Sequence, residues 1–191
     1  MRSIPRIVEA LSMLARTGWM LRGIPPQVAE TVAEHTFAAS LVSLDLSLKL
    51  SRKGIRVDPY RAASIALIHD LAESIIGDIP KAGIRSLEEV KERVENEAFK
   101  TEIPATLYPL FEEYQEASTL EAIIARIADQ VATLLKASHY ASTGFKGVED
   151  IISSCKQAIK SLLGNLEEPA RRQLKEILEK EYGITLQQKE T

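Results

Sequence analysis

The residues with the clearest capacity for chemistry are two histidines that each stand beside an acid, in the pairs Glu34-His35 and His69-Asp70. The chain has one further histidine, His139, and its single cysteine, Cys155, excludes a disulfide framework or a cysteine-based zinc cluster. Imidazole nitrogens and carboxylate oxygens together suit divalent metals. The two pairs favour a metal site, whereas each histidine taken singly also fits an ordinary core position.

Helical spacing strengthens the metal interpretation around His69. In a helix, His69, Asp70 and Glu73 lie around a common edge, and the flanking residues are mostly aliphatic. Two buried carboxylates repel each other, and a divalent cation removes that cost. The alternative, a solvated acidic helix face, suits Glu73 alone but not its apolar neighbours.

Asp129 is a candidate for a fourth ligand. Its helical neighbours are small, namely Ala122, Ala125, Ala132 and Thr133, so the carboxylate has free space in front of it. A surface ion pair with Arg126 is the alternative, and the spacing alone does not decide between the two.

Helices must position these residues, because strand alternation is nearly absent. The 191 residues are 45% hydrophobic but only 5% aromatic, which is typical of packed helices. Pro25-Pro26 predicts the start of a helix running to about residue 50, and Asp58-Pro59 the start of another that ends at Gly77. Further helices are expected near 147–163 and 167–182. We predict one all-α domain of six to eight helices over 1–186, with a frayed tail at 187–191.

The charge and hydropathy of the chain limit which partners and which cellular location can be expected. The net charge of −3 argues against a generally basic surface, so no nucleic-acid partner is expected. Uncharged runs are much shorter than the roughly 18 to 20 residues of a membrane span. Glu9 and Arg16 interrupt the N-terminal apolar stretch, which does not resemble a secretion signal. The expected location is cytoplasmic, without a membrane partner.

Ordered motifs over about residues 8–142 resemble the HD-domain metal-dependent phosphohydrolase superfamily, and within it the HD-domain 5′-deoxynucleotidases. The motifs are Arg16-Thr17-Gly18-Trp19, Val32-Ala33-Glu34-His35, His69-Asp70-Leu71-Ala72-Glu73, Gly77-Asp78-Ile79-Pro80, Glu113-Tyr114 with Ser118 to Ala122, and Asp129 with Leu135, Ala137 and Tyr140. The resemblance implies a single HD-domain helical bundle, with the helices of 147–182 completing the bundle or forming an interface.

The resemblance also implies a ligand set and catalytic roles. The metal ligands would be His35, His69, Asp70 and Asp129, holding Co²⁺ or Mn²⁺, with Mg²⁺ as a further possibility. Glu73 would orient the attacking water or handle its proton. Arg16 would bind the phosphate and offset the charge that develops on it.

A substrate-binding set follows from the same resemblance: Arg16, Trp19, Asp78, Ile79, Pro80 and Lys81. Trp19 would pack near the sugar and exclude a 2′-hydroxyl, or only anchor a helix end. Asp78 would accept the sugar 3′-hydroxyl, or join Glu73 and the Ile79 carbonyl around a second, weaker metal such as Mg²⁺. Lys81 would contact phosphate or face solvent.

The implied function is hydrolysis of deoxynucleoside 5′-monophosphates to deoxynucleosides and phosphate by a metal-dependent phosphomonoesterase that works as a homodimer. Two alternatives stay open. One is another HD-domain phosphohydrolase, acting on a nucleotide phosphodiester or triphosphate, although Ser74 after Glu73 and the scarcity of histidines disfavour alarmone hydrolases and two-metal phosphodiesterases. The other is a non-catalytic, metal-stabilised helical binding module.

Overall fold

The computed structural model describes residues 1–80 and 85–186, and that part of the chain is built from helices. Eight α-helices have nine or more residues, and two others are single turns of four. They are α1 (Ile4–Met13), α2 (Thr17–Met20), α3 (Val32–Arg52), α4 (Pro59–Ile68), α5 (Glu73–Ile76), α6 (Arg85–Glu102), α7 (Tyr108–Glu116), α8 (Leu120–Ser142), α9 (Glu149–Gly164) and α10 (Ala170–Lys180), with a 3₁₀-helix at Ala105–Leu107. The all-α prediction is confirmed for these residues.

Helices α3 and α8 lie at the centre of the bundle. Helix α3 packs against α4 and α8, and α8 packs in turn against α9. The largest group of buried apolar side chains joins α3, α8, α9 and α10 through Leu46, Ile127, Ile159 and Ile177. Burying each of these side chains is worth about 2 kcal/mol, so the C-terminal helices share the main core with the helices that carry the motifs.

Helix α3 begins at Val32, and the predicted start at Pro25-Pro26 was wrong. Thr31 caps the helix: its hydroxyl accepts from the Glu34 amide at 3.2 Å, and the Glu34 carboxylate accepts from the Thr31 amide at 2.7 Å. This reciprocal pair satisfies amide groups that have no partner in a first helical turn. His35 consequently lies in the first turn of α3, close to the cap at Thr31.

The helix that starts at Pro59 ends at Ile68. The sequence predicted that Gly77 would end this helix, so the observed helix is eight residues shorter than predicted. From Ile68 onward the backbone tightens into bonds between residues three apart: the Leu71 amide donates to the Ile68 carbonyl at 3.2 Å and the Glu73 amide to the Asp70 carbonyl at 3.0 Å. His69 and Asp70 therefore lie on a tightened turn between α4 and α5.

A short antiparallel contact ties the N-terminal segment to the start of α3. Ala15 pairs with Thr31 in an isolated bridge, and the Arg16 amide donates to the Glu30 carbonyl at 2.9 Å. The backbone of Arg16 is thereby fixed beside the segment that leads into α3. No helix in the described ranges is long and apolar enough to cross a membrane. The domain limits 1–186 remain a prediction, and the tail at 187–191 lies outside the described residues.

Candidate metal centre

Three helical elements bring two histidines and an aspartate together. His35 comes from the first turn of α3, His69 from the turn after α4, and Asp129 from the middle of α8. One donor atom from each lies within 4.8 Å of the other two. His35 Nε2 is 3.0 Å from Asp129 Oδ1, and His69 Nε2 is 3.9 Å from the same oxygen. Ligands that each bind a metal at about 2.1 Å lie at comparable separations.

Asp70 faces the same point. Its Oδ2 lies 3.1 Å from His69 Nε2 and 3.8 Å from His35 Nε2. Burial alone would raise the pKa of Asp70, but the neighbouring His69 and Arg16 hold it well below its usual range. Asp70 is therefore a carboxylate, and all four side chains predicted as metal ligands converge on one volume.

The hydrogen bonding of His69 shows that its donor atom suits a cation. Its Nδ1 lies 2.6 Å from the Ala66 carbonyl, which can only accept, so Nδ1 carries the proton. Nε2 is buried and lies 3.1 Å from Asp70 Oδ2. Burial would lower the pKa of His69, but Asp70 and Asp129 outweigh it and raise the pKa to about 9. This nitrogen accordingly needs a positive charge beside it, either a proton or a metal ion.

Two neighbouring side chains orient the Asp129 carboxylate through Oδ2, the oxygen other than the one that lies near His35 and His69. The Tyr114 hydroxyl donates to its Oδ2 at 3.3 Å, and Gln130 Nε2 donates to the same atom at 2.8 Å. Burial and the nearby carboxylates raise the pKa of Tyr114 well above its usual value, so the phenol stays a donor. Such outer hydrogen bonds fix ligand geometry in metal sites. Asp129 exposes only 14% of its side chain, and Arg126 donates from Nη2 to the Gln115 carbonyl at 3.2 Å.

Arg16 extends from the start of α2 toward the same cleft. Its Nη1 lies 3.3 Å from Thr133 Oγ1 and 3.5 Å from Glu30 Oε2. Burial would lower the pKa of Arg16, but the site carboxylates, led by Asp70, raise it, so the guanidinium stays charged. A fixed guanidinium next to a candidate metal centre suits the binding of a phosphate group.

Trp19 belongs both to the core and to the cleft. Its indole is 2% exposed, packs edge-on against Tyr140 at 5.1 Å between ring centroids, and donates from Nε1 to Glu30 Oε2 at 3.2 Å. It also lines the cleft. The anchoring role and the sugar-contacting role considered from the sequence are therefore compatible with each other.

Asp78 and Ile79 lie where the chain leaves α5. Asp78 Oδ2 accepts from the Thr17 amide, and the Thr17 hydroxyl donates to the Asp78 carbonyl at 3.0 Å. Asp78 thus ties this segment to the first turn of α2. Asp78, Ile79 and Pro80 all line the cleft. Lys81, the last predicted substrate contact, lies outside the described residues.

Glu73 occupies the cleft floor and is 4% exposed. Its Oε2 is buried without a hydrogen-bond partner among the described residues, and its Oε1 lies 3.7 Å from Lys91 Nζ. Burial and the charges of Asp70 and Asp78 raise the pKa of Glu73 to about 10. A divalent cation beside Asp70 would supply the positive charge that the ionised form of Glu73 needs.

The cleft that joins these groups has a volume of about 790 Å³, within the usual range for small-ligand sites. One wall is formed by α9, through Ser154, Cys155, Ala158, Ser161 and Leu162. Cys155 is thus a buried wall residue, whereas the exposed His139 does not line the cleft. A candidate metal centre, a guanidinium and a buried carboxyl around one open volume are suited to hydrolysis of a phosphate ester.

The family comparison agrees with this arrangement. Residues 8–162 match the HD domain family, and the chain therefore belongs to that family. The match extends through most of α9, beyond the 8–142 covered by the motifs read from the sequence. Because α9 forms a wall of the cleft, the extension covers residues that shape the site.

The relatives carry one recurrent name. The human protein 5′-deoxynucleotidase HDDC2 is 34% identical over 142 residues, which are 71% of this chain and 65% of the human protein. The Schizosaccharomyces pombe protein 5′-deoxynucleotidase hdd1 is 31% identical over 164 residues, 78% of this chain and 77% of that protein. The chain thus spans just under two thirds of the human relative. These relatives confirm the resemblance to the HD-domain 5′-deoxynucleotidases.

A solved structure supports the fold over nearly the whole chain. The crystal structure of the PH0347 protein from Pyrococcus horikoshii superposes with a TM-score of 0.78 at 34% identity, covering 92% of this chain and 96% of that one. This share exceeds that of residues 8–142, which the sequence motifs covered.

Several residues of the site had no recognisable signal in the sequence. Glu30 lies in a turn before α3, and Lys91 lies on the polar helix α6, where a lysine is ordinarily solvated. Tyr114 was noticed only as part of a motif, without a role. Their contacts depend on how distant segments pack, which local spacing does not reveal.

Proposed function

We propose that this chain is a metal-dependent phosphomonoesterase that hydrolyses deoxynucleoside 5′-monophosphates to deoxynucleosides and phosphate. The observation that carries the proposal is the convergence of His35, His69, Asp70 and Asp129 beside a fixed guanidinium and a buried carboxyl in one cleft. The names of the human and fission yeast relatives support the same substrate class.

The metal would be held by the two imidazoles and by Asp70 and Asp129, a mixed donor set that favours Co²⁺ or Mn²⁺, with Mg²⁺ a weaker candidate. When bound, such an ion polarises a phosphate oxygen and acidifies a water molecule. Arg16 binds the phosphate and offsets the charge that develops on it. Glu73 holds the attacking water and takes its proton.

A substrate panel tests the proposal against its alternatives. Metal-loaded protein is incubated with deoxynucleoside and ribonucleoside 5′-monophosphates, a deoxynucleoside triphosphate and a cyclic nucleotide, each with Co²⁺, Mn²⁺ or Mg²⁺. Phosphate release from the deoxynucleoside monophosphates supports the proposal. Pyrophosphate or triphosphate release, or cleavage of the cyclic nucleotide alone, identifies another HD-domain phosphohydrolase, and binding without cleavage identifies a non-catalytic module.

Glu30 provides a prediction about the positioning of Arg16. Glu30→Gln keeps an oxygen for the Trp19 indole but removes the charge that lies 3.5 Å from the Arg16 guanidinium. We expect KM for a deoxynucleoside monophosphate to rise about tenfold, with a smaller change in kcat, because Arg16 loses its fixed orientation. Steady-state kinetics measures both constants.

The matched control is Glu34→Gln, which removes the same charge four residues away and retains a side chain that can complete the capping box of α3. Its KM should equal that of the wild type. An unchanged KM in Glu30→Gln would show that Arg16 does not need Glu30.

Trp19 is proposed to discriminate deoxyribose from ribose. Trp19→Phe retains an aromatic ring in the core but opens space where a 2′-hydroxyl would lie. We expect the ratio of kcat/KM for deoxy- over ribonucleoside monophosphate to fall about tenfold, since an apolar wall rejects an added hydroxyl by about 10²-fold at most. Phe145→Leu, in the same apolar cluster but not lining the cleft, is the control. A ratio equal to that of the wild type would refute the sugar-contacting role.

Homodimer assembly and a cytoplasmic location are also proposals. Large apolar side chains are exposed on α3 and α4, at Phe37, Leu41, Tyr60 and Leu67, and their burial against a second copy would favour a dimer. Light scattering during size-exclusion chromatography distinguishes a dimer from a monomer, and cell fractionation tests the location.

A further inference from the structure

Arg126, on α8, is a cationic side chain of the cleft that the proposed reaction does not use. Its Nη2 donates to the Gln115 carbonyl at 3.2 Å, and its guanidinium lies over the Tyr114 ring, 5.2 Å from the centroid. The residue is half-buried and lines the cleft. The guanidinium is therefore held at the cleft wall by two uncharged groups, and neither of them cancels its charge.

The other arginine and lysine side chains that line the described part of the cleft each have a carboxylate partner. The pairs are Arg16 with Glu30 at 3.5 Å, Arg22 with Asp150 at 2.6 Å, and Lys91 with Glu95 at 3.4 Å. A guanidinium that is held by neutral groups instead keeps its charge available for an anionic ligand, and its planar fork suits phosphate oxygens.

Tyr114 links this guanidinium to the candidate metal centre. Its hydroxyl donates to Asp129 Oδ2 at 3.3 Å, and its ring lies 5.2 Å from the His69 ring, between centroids. Arg126 lies over the same ring. One rigid aromatic side chain thus contacts two of the predicted metal ligands and the cation, and it sets the spacing between them.

The order of the groups along α8 indicates which anion would fit. From the start of the helix onward the order is Arg126, then Asp129, then Thr133 with Arg16, and then Tyr140 with Trp19. Side chains three residues apart are neighbours on a helix surface, so Arg126 adjoins Asp129. Along the helix, Arg126 lies on the opposite side of Asp129 from the residues proposed to bind the phosphate and the sugar.

We propose that Arg126 forms a second anion subsite, which takes a phosphate group linked to the one at the metal centre, as in a nucleoside 5′-diphosphate. With the α-phosphate at the metal centre and the sugar at Trp19, the β-phosphate extends past Asp129 to the guanidinium. A nucleoside diphosphate then competes with the monophosphate substrate for the cleft. The inference rests on the proposed function, because the orientation of the nucleotide is taken from it.

The experiment measures binding to full-length protein by isothermal titration calorimetry, with free Mn²⁺ held at the same concentration throughout. The probes are two deoxynucleoside analogues in which methylene groups replace the bridging oxygens, so that neither is hydrolysed. One carries a single 5′-phosphonate and the other carries two linked phosphonates. We expect the wild type to bind the diphosphonate about tenfold more tightly, because the second group gains a charge-assisted contact.

Arg126→Gln should abolish this preference, while its affinity for the monophosphonate stays within about twofold of the wild type, since only the contact to the second group is lost. Arg126→Lys, which keeps a cation but loses the planar fork, should retain part of the preference. Circular dichroism establishes that each variant is helical.

Arg22→Gln is the matched control, because it removes the same charge from a cleft-lining arginine that has Asp150 as its partner. It should keep the preference of the wild type. A preference that survives in Arg126→Gln, or an equal loss of affinity for both analogues, overturns the inference, and so does a wild type without a preference. Phosphate release in the substrate panel is a separate measurement, so failure of the proposed activity is distinguishable from each of these results.

Discussion

His69→Ala protein is expected to release phosphate from a deoxynucleoside 5′-monophosphate at least about 10³-fold more slowly than the wild type. Loss of a metal that contributes several kcal/mol to the transition state produces a rate effect of this size. His69 offers a buried nitrogen that faces the Asp70 and Asp129 carboxylates. Phosphate release and bound metal are measured on the same samples.

His139→Ala is the matched control, because it removes an exposed histidine that does not line the cleft. It should retain the activity and metal content of the wild type. His69→Gln guards against loss of folding, and circular dichroism establishes that each variant is helical. If folded His69→Ala keeps its metal and cleaves within about tenfold of the wild type, the proposed ligand set is wrong.

Glu73→Gln is expected to lower kcat by about 10²- to 10³-fold while the bound metal stays at the level of the wild type. A positioned carboxylate that takes a proton contributes an effect of this order, and Glu73 is not among the four predicted ligands. Glutamine has the same shape, so the contact with Lys91 can persist while the proton acceptor is lost. Single-turnover kinetics separates this chemical step from product release.

Glu92→Gln is the control for Glu73, because Glu92 is an exposed acid on α6 at the rim of the same cleft. Its kcat should be close to that of the wild type. A kcat for Glu73→Gln within about threefold of the wild type would remove Glu73 from the mechanism, and loss of metal would reassign it as a ligand.

The sequence was most informative where local spacing determines the outcome. His69 and Asp70 are adjacent and follow an apolar helical stretch, so their inward direction could be predicted without knowing the fold. The alanine-rich surroundings of Asp129 in α8 indicated space in front of a carboxylate. The helical class followed from caps such as Asp58-Pro59, which the structure reproduces.

Other features depend on distant packing and escaped prediction. The start of α3 was placed at Pro25 because prolines often begin helices, but the reciprocal bonds of Thr31 and Glu34 determine where it begins. Glu30 reaches Arg16 only because the bridge between Ala15 and Thr31 joins two segments. Lys91 meets Glu73 only because α6 packs against α5. None of these contacts leaves a periodic pattern in the sequence.

The central claim is tested most directly by phosphate release from deoxynucleoside 5′-monophosphates by metal-loaded wild-type protein, beside the matching ribonucleotides and His69→Ala. The account predicts release that depends on added Co²⁺ or Mn²⁺, exceeds release from ribonucleotides about tenfold, and falls at least about 10³-fold in the variant. Release no greater than that of His69→Ala with Co²⁺, Mn²⁺ and Mg²⁺ alike would contradict it.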